Sequence, residues 1–197
     1  MGMPEPQLGS EDELCLEIGR VARGHVQLDG AVRAVFATLA APGPAVFLGN
    51  TNDSTARVVA DCQTMLKHAD VPDYVRTAGA SALGVTVAAN NARNRVVHDM
   101  WMADPDQPAE LPKGAPTQWL RIARQKGGMP GYQGGPTAVD IEYVRAVVQD
   151  ISDVALRLLA LTWLLHFTLP RTRDRWVQDA AHLAQVEEFR RLVEGNT

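Results

Sequence analysis

The sequence predicts an all-α fold, an antiparallel bundle of about five helices that is interrupted by one long insertion. Apolar residues recur at helical steps of three and four over long segments. These segments begin at capping residues and end at prolines, whereas residues 103–136 concentrate proline and glycine. The chain of 197 residues is 46% hydrophobic and 21% charged. This is the composition of a globular protein, and the length suffices to bury a core.

Capping residues and prolines set the bounds of the first three predicted helices. The first begins at residues 10–13, a capping box that binds the free N–H groups of the first turn, and it ends before Pro42. The second follows the N-cap candidates at residues 50–54 and ends before Pro72. The third runs from about Asp73 to about Trp101. Together these helices form the first half of the predicted bundle.

Residues 103–136 form the predicted insertion, because they hold six of the 12 prolines and six of the 16 glycines. Within the insertion, the segment from Thr117 to Arg124 is predicted as a short strand or an edge ribbon. A loop of this length in a compact domain is usually functional or mobile.

Two further helices complete the predicted bundle. Thr137 is expected to cap a long helix that ends near Leu169, and a last helix runs from about Thr172 to about Val193. Residues 1–9 are predicted to form a flexible tail, and residues 10–197 a single domain.

Composition limits the function classes. The net charge is −4, so contact with nucleic acid has to use a local basic patch. The isolated Cys15 and Cys62 suggest neither a zinc site nor a disulfide framework, and no cofactor is predicted. The acidic N-terminus differs from a signal peptide, and the apolar run 154–169 is shorter than the roughly 18–20 residues of a membrane span. We expect a cytoplasmic protein without a membrane partner.

The most informative segment is Arg93-Asn94-Arg95-Val96-Val97-His98, near the end of the third predicted helix. Asn90, Asn94 and His98 follow one another at steps of four and form a polar stripe. Arg93 can reach this stripe with its long side chain, and Asn91 lies beside it. Arginine holds phosphate in a fixed fork, and histidine transfers protons near neutral pH. Together they are the minimum set for metal-free cleavage of an RNA backbone.

The same residues also have a purely structural interpretation. Arginine and histidine near a helix C-terminus interact favourably with the helix dipole. Arg95 and Asp99, four residues apart, are expected to form a surface ion pair. Spacing by itself does not choose between this interpretation and a catalytic one.

Arg93-Asn94-x-x-x-His98, on a late helix of a small bundle, resembles the motif of the HEPN superfamily of bacterial toxins and defence ribonucleases. The resemblance covers about residues 10–101 and 137–169, and residues 103–136 lie outside the minimal family core. It implies that His98 acts as general base or acid when the RNA 2′-hydroxyl is transferred to the adjacent phosphate. It further implies that Arg93 binds that phosphate and that Asn94 orients the phosphate or His98.

The resemblance also implies a setting for the protein. Family members act without a metal and as dimers, with two motifs facing one cleft, so a homodimer axis near His98 is expected. A role in a toxin–antitoxin or phage-defence system follows from the resemblance alone, and so does an antitoxin or regulatory protein as partner.

Other candidates stay open. Basic residues near two aromatic side chains could help to hold RNA, and a solvated loop is the alternative; the set comprises Arg121, Arg124 and Lys126 with Trp119 and Tyr132. His25 and His166 are expected to be core or boundary histidines rather than ligands. The competing function is a non-catalytic helical module that binds a protein or a nucleotide.

Overall fold

The computed structural model describes residues 10–40, 53–103, 106, 118–124, 132–170 and 180–195. These residues form five helices and one small sheet, which confirms the predicted all-α bundle with strands in its insertion. The elements are α1 (Ser10–Ala40), α2 (Thr55–His68), α3 (Asp73–His98), β1 (Met100–Ala103), β2 (Gln118–Arg124), β3 (Tyr132–Asp140), α4 (Ile141–Thr168) and α5 (Ala180–Glu194). The predicted tail 1–9 and the predicted start of the last helix at Thr172 lie outside the described residues.

Residue contacts divide the chain into two compact units. The first unit comprises residues 1–24 and 91–149, and the second comprises residues 25–90 and 150–197. The helices α1, α3 and α4 each begin in one unit and end in the other. The prediction of a single domain over 10–197 stays a prediction.

The second unit is built on apolar faces of α1, α2, α3 and α4. The predicted helical spacing is visible here, because residues at steps of three and four are almost fully buried. The fully or nearly fully buried side chains include Leu28, Val32, Val35, Val58, Cys62, Leu66, Leu83, Leu158, Leu161 and Leu165. Ser54 caps α2, and its side chain accepts a hydrogen bond from the N–H of Arg57 at 3.3 Å. The sequence predicted this cap among several candidates.

The first unit contains a three-stranded antiparallel sheet in the order β1-β2-β3. Trp101 on β1 lies opposite Arg121 on β2, and Arg121 lies opposite Thr137 on β3. Side chains of directly opposite residues stand on the same face of a sheet. Trp101 and Arg121 therefore share one face, although 20 positions separate them in the sequence.

A buried carboxylate joins two helices inside the first unit. Glu17 on α1 is only 3% exposed, and a buried charge is costly unless it is paired. Arg20 contributes a contact of 2.7 Å and Arg145 on α4 one of 3.4 Å. Arg145 also pairs with Glu13 and Glu142. This network fixes the first turns of α1 against the first turns of α4.

Two predicted helix boundaries were wrong, both next to the sheet. α3 ends at His98 rather than at Trp101, because the chain enters β1 and pairs with β2. Thr137 does not cap α4, since it lies within β3. Asp140 takes that position, and its carboxylate accepts the N–H of Tyr143 at 3.0 Å, as an N-cap residue does. Strand pairing with distant residues thus overrode local helix signals at both boundaries.

By length and composition, α4 could cross a membrane, and it is the one helix among the described residues that meets this test. Half of its most apolar window is buried inside the protein. The core helix of a soluble protein meets the same test, so the expectation of no membrane partner stays a prediction.

Candidate functional site

The last two turns of α3 bring Arg93, Asn94 and His98 into direct contact. Nη1 of Arg93 donates a hydrogen bond of 2.8 Å to Oδ1 of Asn94 and lies 3.3 Å from Nε2 of His98. Arg93 and Asn94 are half-buried, whereas His98 is exposed. The guanidinium therefore reaches along the helix surface to the polar stripe, and a single nitrogen atom joins it to both neighbours.

The chemistry of this contact depends on the tautomer of His98. A guanidinium can only donate hydrogen bonds, so a hydrogen bond here requires Nε2 of His98 as the acceptor. The tautomer that fits this role carries its proton on Nδ1. Partial burial lowers the pKa of Arg93 from its ordinary value, yet an arginine stays charged at neutral pH. The site thus combines a fixed positive charge with an imidazole nitrogen 3.3 Å away.

Asp99, the residue after His98, is bound by β2. Its Oδ1 accepts the backbone N–H of Arg124 at 3.0 Å, and its Oδ2 lies 3.6 Å from Nε of Arg121. The expected surface pair of Arg95 with Asp99 was wrong. Because α3 ends at His98, Asp99 lies outside the helix and its carboxylate turns to the strand. Only the backbone links the two residues, since the N–H of Asp99 donates to the carbonyl of Arg95 at 3.1 Å.

Arg121 links the end of α3 to the start of α4. Its Nη1 donates to the hydroxyl of Tyr143 at 3.0 Å, and its guanidinium lies 5.3 Å from the centroid of that ring. The side chains of Arg121 and Asp99 are only 15% and 6% exposed. The positive charge of Arg121 is therefore largely compensated within the protein, by an ion pair with Asp99 and a cation–π contact with Tyr143.

A tryptophan caps the same helix end. The indole Nε1 of Trp101 donates to the carbonyl of Val96 at 2.8 Å. That carbonyl is one of the last four of α3, which have no partner within the helix. Asp99 is bound to β2, and Trp101 lies on β1. The sheet therefore holds the last turn of α3, which carries His98.

Several buried polar atoms of this region lack a hydrogen bond within the described residues. They are Nε of Arg93, Oδ2 of Asp99, Nε1 of Trp119 and Nε of Arg121. A buried polar group without a hydrogen bond costs about 1–3 kcal/mol. Native proteins hold few such groups, and each needs an explanation. Two of these atoms, Oδ2 of Asp99 and Nε of Arg121, lie 3.6 Å apart as an ion pair. Nε of Arg93 belongs to the motif itself, which makes this part of the first unit the best candidate for a site.

The other predicted binding residues are less closely joined to the motif. Asn90 is half-buried and Asn91 is exposed, and the hydrogen bonds described for the motif include neither. The side chain of Arg124 is exposed, and its backbone N–H donates to the carboxylate of Asp99. Lys126 and the side chain of Tyr132, both predicted near this patch, lie outside the described residues. RNA contact by Asn90, Asn91, Arg121 and Arg124 stays a prediction.

Asp99, Trp101 and Tyr143 belong to the site, yet the sequence did not assign them to it. Asp99 and Trp101 directly follow His98, so proximity was a signal for both. Tyr143 gave no local signal, because its contact with Arg121 joins residues 22 positions apart.

Among the described residues, no group of three or more His, Cys, Asp or Glu side chains is placed to hold a metal ion. A scan against protein-family models, a search of curated proteins and a search of solved structures each gave no match. The resemblance to the HEPN superfamily rests on Arg93, Asn94 and His98.

Proposed function

We propose that this protein is a metal-independent endoribonuclease that cleaves RNA by transfer of a 2′-hydroxyl to the adjacent phosphate. The observation that carries the proposal is the contact of Arg93 Nη1 with His98 Nε2 at 3.3 Å. A guanidinium, which is suited to binding phosphate, lies in this contact beside an imidazole nitrogen, which is suited to taking up a proton. The Arg-Asn-His spacing of the HEPN superfamily supports the same assignment.

Each residue of the motif has a role in this reaction. Nε2 of His98 takes the proton of the 2′-hydroxyl as general base, and the 2′-oxygen forms a bond to phosphorus. The guanidinium of Arg93 exchanges its contact with His98 for the phosphate oxygens and stabilises the charge that develops on them. Asn94 holds Nη1 of Arg93 through the bond of 2.8 Å, and it thereby orients the group that binds the scissile phosphate.

The bond from phosphorus to the 5′-oxygen then breaks, and the departing oxygen needs a proton. In a homodimer with its axis near His98, the second copy's His98 supplies that proton: its Nε2 is released from Arg93, takes a proton from solvent beforehand, and passes it to the departing oxygen as an imidazolium. The products are a 2′,3′-cyclic phosphate and a 5′-hydroxyl. Because the attacking group is a 2′-hydroxyl, the substrate is RNA and DNA is inert. In this proposal the protein acts in the cytoplasm as a toxin or phage-defence effector, and an antitoxin or other regulatory protein restrains it.

The decisive experiment is cleavage of end-labelled single-stranded RNA in excess EDTA, with a DNA oligonucleotide of the same sequence as substrate control. Wild type is expected to cut the RNA only and to leave 2′,3′-cyclic phosphate ends. His98→Ala and Arg93→Ala are expected to abolish cutting. Arg95→Ala is the matched control, because Arg95 is exposed on the same helical turns and contacts neither Arg93 nor His98 in the described structure.

Equal activity in wild type and His98→Ala would indicate a contaminating nuclease and overturn the proposal. Absence of cutting across a broad panel of RNAs would also overturn it, in favour of a non-catalytic module.

One observation favours a protein-interaction module as the second candidate. Leu156, Leu159 and Trp163 recur on α4 at steps of three and four, and they are 60%, 45% and 45% exposed. A helix in a soluble protein normally buries such a stripe. If the RNA assays are negative, replacing Leu156 and Leu159 by serine and measuring self-association by analytical ultracentrifugation tests this candidate.

A further inference from the structure

We propose that Asp99 and Arg121 are positioning residues, which hold His98 in the orientation that proton transfer requires. This inference rests on the proposed function and deepens it, because it assigns a role to the insertion. β2 belongs to the segment that lies outside the minimal HEPN core. It nevertheless supplies the partners that fix the residue next to His98.

His98 is the last residue of α3, and this is an unfavourable place for a catalytic side chain. Helix ends leave their last carbonyl groups without intrahelical partners, and terminal turns open more easily than helix interiors. A displacement of a reacting group by about 1 Å can cost about 100-fold in rate. A histidine at a helix end therefore needs support from outside the helix.

The structure supplies this support on the C-terminal side of His98. Both carboxylate oxygens of Asp99 face β2, one at 3.0 Å from the N–H of Arg124 and the other at 3.6 Å from Nε of Arg121. The Asp99 side chain is 6% exposed, so solvent screens this pair less than a surface pair. The N–H of Asp99 also continues the helical hydrogen bonding to Arg95.

Arg121 is itself held in place. Tyr143 accepts its Nη1 hydrogen at 3.0 Å and presents its ring to the guanidinium. With 15% exposure and these two partners, Arg121 is suited to fixing Asp99 rather than to taking up a phosphate. The chain of contacts runs from Tyr143 through Arg121 and Asp99 to the backbone of His98.

The test uses Asp99→Asn and Arg121→Gln in the full-length protein, with two readouts. The first is the tautomer of His98, measured by long-range proton–nitrogen NMR and assigned by comparison with His98→Ala. Wild type is expected to show the Nδ1–H form. In both variants the helix end loosens, the contact with Arg93 weakens, and the Nε2–H form is expected to appear. This readout does not depend on catalysis.

The second readout is RNA cleavage. Both variants are expected to lose about 10- to 100-fold in kcat while KM stays within about twofold. The double variant is expected to lose no more than either single one, because both substitutions break the same contact. Asp29→Asn is the matched control. It breaks another partly buried Asp–Arg pair, Asp29 with Arg33 at 2.7 Å, in the second unit, and both readouts are expected to match wild type.

The outcomes separate the two proposals. If wild type cuts no RNA, the ribonuclease proposal fails while the tautomer still tests the positioning role. An unchanged His98 tautomer in both variants overturns the positioning role whatever the activity. A raised KM with unchanged kcat also overturns it, since that pattern is typical of direct RNA binding by Arg121. If Asp99→Asn does not fold, Arg121→Gln decides the question.

Discussion

The Nη1 atom of Arg93 lies 3.3 Å from Nε2 of His98, five residues further along the same helix. Residues five apart on an α-helix are separated by about 140° around its axis. The contact therefore depends on the length of the arginine side chain, which crosses the helix surface past Asn94. A shorter or unforked side chain cannot contact Asn94 and His98 in the same way.

Arg93→Lys tests whether the fork matters beyond the positive charge. Lysine keeps the charge but loses the planar donor pair that matches phosphate. We expect kcat for RNA cleavage to fall by about 100- to 1,000-fold, as when one donor to a developing oxyanion is removed. Arg95→Lys, made in parallel, is expected to retain wild-type kcat. Full activity in Arg93→Lys would show that charge alone suffices.

The two cysteines are expected to differ in reactivity. Burial, helped by the nearby charge of Asp61, raises the pKa of Cys62 to about 12, and only a thiolate is an efficient nucleophile. Cys15 is exposed. At about pH 8, iodoacetamide should label Cys15 in the native protein and both cysteines after denaturation. Mass spectrometry of tryptic peptides measures this, and rapid labelling of Cys62 in the native protein would contradict its burial.

Gly79 is expected to be a packing requirement of the second unit. A Cβ atom at this position would lie 2.7 Å from Cδ2 of Leu66 and 3.0 Å from Cδ1 of Leu161. Both leucines are fully buried, so they have little room to move. Gly79→Ala is expected to lower the free energy of unfolding by about 1–3 kcal/mol in urea titrations.

The control for Gly79 lies on the same helix. A Cβ at Gly84 meets no atom within 4 Å, so Gly84→Ala is expected to gain about 0.5–1 kcal/mol from helix propensity. Equal effects of the two substitutions would mean that α3 does not pack closely at Gly79.

The stability contributed by Asp29 is expected to depend on pH. Burial by itself raises the pKa of this carboxyl, but hydrogen bonds from Arg33 and Thr55 and the charge of Arg33 outweigh burial and lower the pKa below its ordinary value of 3.8. A carboxyl with a lowered pKa stabilises the folded state above its unfolded pKa, and this contribution is lost as the pH falls through the folded pKa. Asp29→Asn should therefore destabilise the protein at neutral pH by about 1 kcal/mol.

The matching measurement is urea unfolding of wild type and Asp29→Asn over a pH series. The difference between the two proteins is expected to shrink as the pH falls below 3.8, the ordinary value for this group. A difference that is constant over the whole series would show that the charge of Asp29 contributes nothing.

Much of the fold could be predicted because its signals are local. The N-cap at Ser54 and the break at Pro72 act within a few residues of the chain. Helix spacing likewise depends only on neighbours three and four positions away, so buried positions such as Val58 and Leu66 follow from it. The errors lie next to the sheet, where Thr137 and Trp101 pair with strand residues that no local rule identifies.

The sequence by itself determined the helical class and the grouping of Arg93, Asn94 and His98, because all three lie on one helix with fixed geometry. Tertiary structure decided which partner Asp99 takes. The spacing of four residues predicts an ion pair of Asp99 with Arg95. Because α3 ends at His98, the carboxylate of Asp99 instead faces Arg121 and Arg124, and Arg124 lies 25 residues further along the chain. The pairing of β1 with β2 sets that contact. Strand pairing joins segments that are far apart in the sequence, so the spacing of residues along the chain does not predict it.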